Sequence, residues 1–589
     1  MSSPRKGALT PEGAFSVGRP LSLLALYPLF FAAVFLGHLT LLHLPYFWDE
    51  GGYYIPAAMD FFHSGTLIPY TTATNAHPPL PTVLLAGVWS LTGFTIIATR
   101  TFVCMVSAAA LLAVFRLTRN LLGDLAAAAV SLLTAIYPIW YVQSTLAHAD
   151  IFAAAFTLWA LALYLEPTLA RVTPNVSSRP KPGHLAGAAE RPASLAQLQN
   201  VSSRPEPAHS AGVVERPASL QPLQPTRAII IATLFALSVL SKETAIITPF
   251  ALALHRFYLA LRDRENRRTH LIWIAALTFC VLPLLAWYGY HHHKTGFTFG
   301  NPEFLRYNAT ANLDLHRIAL SLYHRGLHLL GHMNMWVATL LTAACFILPR
   351  RITRNIPAAT LVPIVITIFA NWVAFSILGG ALLTRYLLPV YPLILLLFVA
   401  VWRERTHVWP LLAALPAAAF LIALHVDPPY TFAPEDNLTY RDMIVLHQEA
   451  TAYIEQHLPQ ATVLTAWPGN AELIHPELGY VHSPVKIASL TNFALGEILK
   501  AQQTPGDYDA AFLFSTKYEP GRVNISQHTE NSDARYFDFH HDVHPEEAAR
   551  LLHGTIVWQD HRDGEWVAVL RFPRSYEAQL APETSKQAY

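Results

Sequence analysis

Long, mostly apolar stretches with almost no charged side chains recur along the chain, and they restrict it to a membrane protein. A helix that crosses a bilayer needs about 20 such residues. Charged residues make up only 13% of the 589 residues, about half the share in soluble domains. We therefore expect a polytopic α-helical membrane protein with about 11–13 transmembrane helices. The predicted spans are Leu21–Leu44, Pro79–Gly93, Ile96–Leu117, Leu122–Tyr141, Ile151–Leu165, Ala228–Phe250, Leu271–Tyr290, Leu327–Leu348, Ile356–Leu378, Tyr386–Trp402 and Val408–His425.

Clusters of basic residues in the second half predict the orientation of the spans. Short loops that carry such clusters stay in the cytoplasm. The clusters are Arg262–Arg268, Arg350–Arg354 and Arg403–Arg405. Residues 1–20 are then a cytoplasmic tail and 21–426 the membrane domain. The non-cytoplasmic segments are the loops 45–78, 291–326 and 379–385 and the chain from 427 onward.

One predicted span leaves the orientation of the first half open. Ala228–Phe250 carries Ser241-Lys242-Glu243 at its centre. It forms either one helix or two shorter helices that meet at Lys242. The choice changes the side of the membrane on which Asp150 is expected.

Residues 167–227 contain a tandem repeat that is not expected to fold. Residues 175–199 and 200–224 match at 18 of 25 positions, and both copies are rich in proline. Repeats of this length can stack into a solenoid, but two copies without an apolar face cannot form a core. We predict a disordered linker inserted in a loop.

The tail 427–589 has the character of a small soluble α/β domain. Tyr440–Leu458 shows helical periodicity, and short β-like runs follow at Thr462–Ala466 and Ala510–Phe514. A hairpin is predicted between Thr555–Gln559 and Trp566–Phe572, with its turn at Asp563-Gly564. We expect this domain to pack outside the membrane.

Several classes of function are disfavoured by the sequence. A net charge of +1 argues against a nucleic-acid partner, which would require a concentrated basic face. Neither a Walker loop nor a Rossmann glycine fingerprint is present, so a nucleotide sugar is not expected as a substrate. His291-His292-His293 invites a metal interpretation. Adjacent histidines point in different directions, however, unlike the spaced ligands of a zinc site, and we predict no metal site.

The first outward loop carries the most informative pattern. Trp48-Asp49-Glu50-Gly51-Gly52-Tyr53-Tyr54 follows the first span, and His77-Pro78-Pro79-Leu80 opens the second. Carboxylates at a membrane boundary are costly to desolvate unless they are used or paired, although an acidic residue there can also simply cap a helix. Further along come Ala98-Thr99-Arg100, Asp150, Ser241-Lys242 and Arg385-Tyr386-Leu387-Leu388-Pro389.

This ordered set, spread over residues 20–425, resembles the GT-C membrane glycosyltransferases. Within that superfamily it looks like the branch of the protein O-mannosyltransferases and lipid A aminoarabinose transferases, with the bacterial RgtA/B/C/D-like enzymes. The resemblance implies transfer of a sugar from a polyprenyl phosphate to a hydroxyl of a lipid A, cell-wall glycan or protein acceptor. It also implies a location in the bacterial cytoplasmic (inner) membrane, with transfer at its outer face.

The resemblance further implies roles for individual residues. Asp49 is the catalytic base, and Glu50 orients either Asp49 or the acceptor. His77 stands where relatives usually have lysine, which weakens its expected contact with the lipid phosphate. No cofactor is required, because lysine and arginine can neutralise a leaving lipid monophosphate without a divalent ion. The residues expected to bind the lipid phosphate or the acceptor are Tyr54, His77, Asp150, Lys242, Lys294, Arg385 and Tyr386.

Two other classes of function remain open at this level. A transporter or flippase for a lipid-linked or small substrate also uses intramembrane charges and broken helices, but no internal repeat of the membrane halves is visible. A non-catalytic membrane scaffold would leave the combination of Asp49, Glu50, His77 and Arg385 unexplained.

Overall fold

The computed structural model describes residues 23–166, 225–300, 313–351, 356–518, 534–537 and 540–573. The predicted cytoplasmic tail 1–20 and nearly all of the linker at 167–227 lie outside these ranges, as does most of the cluster Arg350–Arg354. The described membrane part is built from helices, as predicted. Their bounds are Tyr27–Gly37, Ile55–Ser64, Leu80–Thr92, Ile96–Leu122, Asp124–Ile136, Pro138–Gln143, Ala149–Tyr164, Pro225–Ser241, Ile247–Arg262, Arg267–Thr278, Val281–Thr295, Leu315–Leu330, Met335–Cys345, Ala358–Leu378, Tyr391–Arg405 and Trp409–His425.

Some of these helices are long and apolar enough to cross a membrane on their own. Within the described ranges they are Ile96–Leu122, Glu243–Arg262, Arg267–Thr295 and Ala358–Leu378. Six further apolar helices in the described part of the chain are shorter, with 10 to 17 residues each. Several predicted spans are therefore correct in position but are interrupted.

Proline explains two of the interruptions. The predicted span Leu122–Tyr141 consists of two helices. The first ends at Ile136 and the second begins at Pro138, because proline lacks the backbone N–H that would continue the first helix. The predicted span Tyr386–Trp402 begins later, at Tyr391, where Pro392 occupies the first turn. Arg385 and Tyr386 lie in the preceding 3-10 turn, Thr384–Leu387.

The remaining breaks have other causes. The prediction of one helix at Leu327–Leu348 was wrong, because Met333 and Asn334 adopt left-handed backbone conformations with φ of 47° and 62°. At Lys242 the backbone is extended, so Pro225–Ser241 and the turn Glu243–Ile246 are separate elements. Of the two alternatives for Ala228–Phe250, the structure adopts the broken one.

The first predicted outward loop is ordered. It contains one turn of π-helix, Glu50–Tyr54, which runs into the helix Ile55–Ser64. π-Helical turns are rare in proteins, and those that occur are often found at functional sites. This turn fixes the direction of the residues that follow Asp49.

The described part of the tail contains a five-stranded sheet flanked by helices. Its strands are β1 (Thr462–Thr465), β2 (Lys486–Ser489), β3 (Ala510–Phe514), β4 (Thr555–Arg562) and β5 (Glu565–Arg571). They are ordered β2-β1-β3-β5-β4, with β2, β1 and β3 parallel and β5 antiparallel to both of its neighbours. The hairpin around Asp563-Gly564 is confirmed, whereas β2 was not predicted. The flanking helices are Thr439–His457, Gly469–Ile474, Leu495–Ala501 and Pro545–Leu551.

The sheet domain packs directly on the loop that carries Asp49. The N–H of Tyr46 donates to the carbonyl of Leu478 at 3.1 Å, and a Cβ on Gly51 would lie 3.2 Å from the Leu478 side chain. The ring of Phe47 meets that of Tyr440 edge-on, with centroids 5.7 Å apart. Elements from both ends of the chain therefore position the candidate site.

Candidate active site

Arg385 is the centre of a buried cluster of charges. Its guanidinium donates to the carboxylates of Asp49 and Glu435, and its Nε lies 3.5 Å from Oδ2 of Asp150. The side chain of Arg385 is only 3% exposed, whereas that of Asp49 is 19% exposed. One cation thus joins three carboxylates, and Asp49 is the member of the group that solvent can reach.

Lys242 extends the cluster on the side of Asp150. Its Nζ donates to Oδ1 of Asp150 at 2.6 Å and lies 4.1 Å from the ring centroid of Tyr386. The break in the helix allows this placement, because Lys242 is the residue at which the chain turns. Together, Lys242, Asp150, Tyr386 and Arg385 account for four of the predicted site residues.

The start of the sheet domain contributes two acids that the sequence analysis did not single out. Glu435 and Asp436 lie in a short 3-10 turn, Pro434–Asp436, and both are buried. Asp436 accepts hydrogen bonds from the hydroxyl of Thr384 and, at 2.8 Å, from His332 Nε2. It therefore holds the residue that precedes Arg385, while Glu435 contacts Arg385 itself. In the sequence, their role is indicated only by two adjacent acids shortly after the last predicted span.

The backbone segment before Arg385 is fixed from the other side by Arg325. This side chain is fully buried, and its guanidinium donates to the carbonyls of Ala381 and Leu383 at 3.3 and 3.4 Å. It also lies 5.8 Å from the ring centroid of Tyr386. Sequence reasoning missed this residue because arginine on a helix near the membrane boundary usually reaches toward headgroups.

His77 lies at the edge of the cluster and pairs with an acid. Its Nδ1 is 2.9 Å from Oε2 of Glu243, the neighbour of Lys242. The ring of Tyr54 lies between two histidines, with centroids 6.1 Å from that of His77 and 6.0 Å from that of His148. His148 in turn lies 3.3 Å from Arg385. Tyr54 and His77 are thus brought into the site.

Glu50 occupies a different environment from Asp49, although the two residues are adjacent. It is fully buried, and its Oε1 accepts from Arg100 at 2.7 Å and from the N–H of Ala147 at 2.5 Å. Oε2 accepts from the N–H of Phe47 at 2.9 Å. These contacts tie the Asp49 loop to the helix Ile96–Leu122 and leave Glu50 facing away from solvent.

Lys294 is not brought to the cluster. It is exposed in the last turn of the helix Val281–Thr295, and the structure shows no contact from it to the other site residues within the described ranges. The neighbouring His291 is buried and bonds to Thr74 Oγ1 and the carbonyl of Phe297, both at 2.6 Å. Across the described part of the chain, no group of three or more His, Cys, Asp or Glu is arranged to hold a metal ion.

Among the described residues, two small cavities adjoin this site. One lies beside Tyr54 and His77 and is also lined by Tyr53, Thr74 and Trp287. The other lies between the apolar helices and is bordered by Asp150, Lys242 and Tyr386. Residues at the edge of the charged cluster thus line the first cavity, and Asp150 and Lys242 of the cluster itself border the second.

The balance of charge in the cluster has a chemical consequence. The two cations Arg385 and Lys242 face the three carboxylates of Asp49, Asp150 and Glu435, so the cations are already neutralised within the protein. Burial raises the pKa of Glu435 to about 8, although the adjacent guanidinium of Arg385 opposes this shift. An anion that enters must therefore exchange with a carboxylate or meet a protonated Glu435.

The chain matches a protein-family model in sequence and solved structures in fold. The profile of the Alg9-like mannosyltransferase family matches residues 22–469, and no curated protein matches the chain. The crystal structure of ArnT from Cupriavidus metallidurans bound to undecaprenyl phosphate is 13% identical, with a TM-score of 0.52, covering 93% of this chain and 98% of that one. The apo state of the same protein has the same identity and coverage, with a TM-score of 0.51.

These matches identify the class of protein. The likeness to ArnT shows the fold, which confirms the expected GT-C architecture with a small C-terminal sheet domain. The family match shows an enzyme, so the interpretation as a transporter is not retained. Because the family match covers most of the chain, the protein belongs to the Alg9-like mannosyltransferase family and is a GT-C membrane glycosyltransferase.

Proposed function

We propose that this enzyme transfers a sugar from a polyprenyl-phosphate donor to a hydroxyl group of an acceptor. The acceptor belongs to a lipid A, a cell-wall glycan or a protein. The contact between Asp49 and Arg385 carries the proposal, because it sets a carboxylate base beside a cation suited to phosphate. ArnT, which has the same fold, is bound to undecaprenyl phosphate, and this supports a lipid-phosphate donor here.

The proposed step is a single displacement at the anomeric carbon of the sugar. The acceptor oxygen forms a bond to that carbon, while the bond from the carbon to the phosphate oxygen breaks and its electron pair stays on the phosphate. The acceptor proton passes to Asp49. A positioned base of this kind contributes about 10²- to 10⁴-fold in rate. Attack from the face opposite the leaving phosphate inverts the anomeric centre.

Arg385 and Lys242 stabilise the leaving group in this scheme. The donor carries one negative charge on its phosphate and the released polyprenyl phosphate carries two, so charge develops where these cations stand. Fixed cations stabilise such charge without reorganisation. Binding of the phosphate to Arg385 displaces the carboxylate of Asp49, which then becomes free to accept the proton from the acceptor.

Glu50 acts through the position of the loop. Its bonds to Arg100 and to two backbone N–H groups fix the loop beside Asp49. We therefore assign Glu50 as a positioning residue. Lys294 has no part in this scheme.

The two ends of one helix support transfer at the outer face of a bacterial cytoplasmic membrane. The helix Tyr391–Arg405 begins just after Arg385 and spans about 21 Å. At its far end the N–H of Arg351 donates to the carbonyl of Glu404 at 2.9 Å, which brings two of the basic clusters together. Basic clusters favour the cytoplasmic side. The active site and the sheet domain then lie on the opposite side.

Reconstitution of the purified full-length protein tests the proposal. Wild type, Asp49→Asn and Asp124→Asn are compared with labelled polyprenyl-phosphate mannose, because the family is named for mannosyl transfer. Asp124 is a matched control, since its side chain is 73% exposed. We expect transfer by wild type and Asp124→Asn, with a loss of at least about 100-fold for Asp49→Asn. The proposed mechanism fails if wild type transfers no sugar from any polyprenyl phosphate, or if Asp49→Asn is fully active.

A chelator tests whether the protein's own cations suffice. Arg385 and Lys242 supply two positive charges at the proposed phosphate site, so EDTA should leave the transfer rate nearly unchanged. A strict requirement for added Mg²⁺ or Mn²⁺ would contradict this assignment.

A further inference from the structure

Trp467 of the sheet domain lies against the loop that carries Asp49. Its indole meets that of Trp48 edge-on, with centroids 4.8 Å apart, and lies 6.3 Å from the ring of Tyr53. A Cβ added to Gly52 would be 2.6 Å from its Nε1, so the indole rests on the backbone of Gly52. Trp48 directly precedes Asp49, and Gly52 follows it by three residues. Three aromatic rings thus lie on the loop segment that carries the residue proposed as the base.

We propose that Trp467, with Trp48 and Tyr53, forms a subsite for a pyranose ring beside Asp49. This inference rests on the proposed function and adds to it a binding role for the sheet domain. The ligand class follows from the chemistry of the rings. One face of a pyranose presents C–H groups, and an aromatic ring covers such a face while the hydroxyl groups stay hydrated or bonded.

The exposure of the rings distinguishes this surface from the packing contacts nearby. The side chains that join the sheet domain to the loop are almost fully buried: Tyr46 and Leu478 are 0% exposed, Tyr440 1% and Phe47 3%. Trp467, Trp48 and Tyr53 are only partly buried. Here three rings together keep surface available to a ligand.

The backbone at Trp48 gives independent support. Its φ is 50°, a left-handed conformation that costs a bulky residue energy. Such strained residues persist where the surrounding structure fixes them, and they cluster at functional sites. In this case the strained residue is adjacent to Asp49.

The pyranose could belong to either substrate, because both the donor sugar and a glycan acceptor carry such a ring. Kinetic measurements separate the two sources. If the subsite binds the donor sugar, loss of Trp467 raises the KM for donor hydrolysis in the absence of acceptor. If it binds the acceptor, only the acceptor KM rises. In either case kcat should change little, because the rings do not touch the reacting bond.

Direct binding to the full-length protein in nanodiscs provides the first test, with methyl α-mannopyranoside as the probe. Titrations compare wild type, Trp467→Ala, Trp467→Phe and Trp558→Ala. Trp558 is a matched control, because it is a partly buried tryptophan on β4 that packs on Tyr453 instead. We expect about 5- to 10-fold weaker binding for Trp467→Ala. Trp467→Phe should show a smaller loss and Trp558→Ala none.

A second measurement on wild type needs no variant. Oxidation of tryptophan by N-bromosuccinimide, read by mass spectrometry, should be slowed at Trp467 but not at Trp558 when methyl mannoside is present. If Trp467→Ala fails to fold, this protection decides the question.

Equal oxidation with and without the probe would overturn the inference, as would wild-type binding and wild-type KM values for a folded Trp467→Ala. These results are independent of catalysis. A wild-type protein that protects Trp467 but transfers no sugar would instead contradict the proposed function alone.

Discussion

The guanidinium of Arg385 donates to the carboxylate of Asp49, although the two residues lie 336 positions apart in the sequence. Arg385 also contacts Glu435 and lies near Asp150. The proposed base is therefore paired with the residue proposed to bind the phosphate. We infer that binding of the donor and release of the base are a single event, because a phosphate on Arg385 takes the place of the Asp49 carboxylate.

Replacement of Arg385 should affect more than one contact with the donor. Arg385→Ala leaves Asp49, Asp150 and Glu435 without their shared cation. The site then lacks the arginine that binds the phosphate, and the remaining carboxylates repel it. We expect the transfer rate to fall by about 10³-fold and the donor KM to rise, measured with the reconstituted enzyme. Arg441→Ala, which removes a side chain that is 40% exposed, is the control. Unchanged donor affinity in folded Arg385→Ala would remove Arg385 from the phosphate site.

Glu435 should give donor binding a dependence on pH. Burial raises the pKa of Glu435 to about 8. Below that pH the carboxyl is mostly protonated and competes weakly for Arg385. As the pH rises through 8 it ionises and competes with the donor phosphate. The donor KM of wild type should therefore increase several-fold between about pH 7 and 9.

Glu435→Gln should remove this increase, because glutamine does not ionise. Glu449→Gln, at a side chain that is 42% exposed, should retain the wild-type profile. The same pH profile in Glu435→Gln and in wild type would show that another group is responsible.

The pair formed by Glu50 and Arg100 should matter chiefly for stability. Both side chains are at most 1% exposed, and loss of one partner from a buried ion pair costs about 3–5 kcal/mol because the other charge is left unpaired. Glu50→Gln and Arg100→Gln should each lower the temperature of half-inactivation strongly. The double variant should lose less than the sum of the two single losses. Additive losses would contradict a direct pair.

Features set by local chemistry could be predicted from the sequence. The helix predicted at Ile96–Leu117 begins at Ile96 and ends at Leu122. Its start is set locally, because the Thr95 side chain accepts a hydrogen bond from the N–H of Ala98. The turn at Asp563-Gly564 is also local, since both residues adopt positive φ there. The break at Lys242 was one of two alternatives, because a charge within an apolar stretch signals an interruption without fixing its form.

Features that depend on distant parts of the chain could not be predicted in the same way. Glu435 reaches Arg385 only because the segment after the last membrane helix folds back on the turn Thr384–Leu387. Hydrophobic periodicity in the sequence does not indicate such a fold-back. Trp467 follows a short strand, where a tryptophan usually contributes to the core. At the left-handed backbone of Met333 and Asn334, the Asn334 side chain donates to the carbonyl of Ala419, 85 residues away. The apolar run around these residues gives no local sign of the break.

Because of Glu565, the free energy of unfolding of the sheet domain should decrease as the pH rises. The residue is on β5 and is 1% exposed, and neither of its carboxylate oxygens has a hydrogen-bond partner among the described residues. Burial raises the pKa of Glu565 well above its usual range, and the nearby Asp442 and Asp427 add to the shift. In the unfolded chain the same carboxyl titrates near 4.3.

Between these two pKa values the folded state binds more protons than the unfolded state, so the free energy of unfolding falls as the pH increases. Glu565→Gln removes this term and should stabilise the protein by about 1–3 kcal/mol at neutral pH, with a smaller gain near pH 5. Thermal melting of full-length wild type and variant across this range measures the difference, and Glu547→Gln, at an exposed position, is the control. A Glu565→Gln variant that is less stable than wild type at pH 7 to 8 would mean that the ionised carboxylate has a partner in the folded protein, because only a stabilised charge reverses the sign of this linkage.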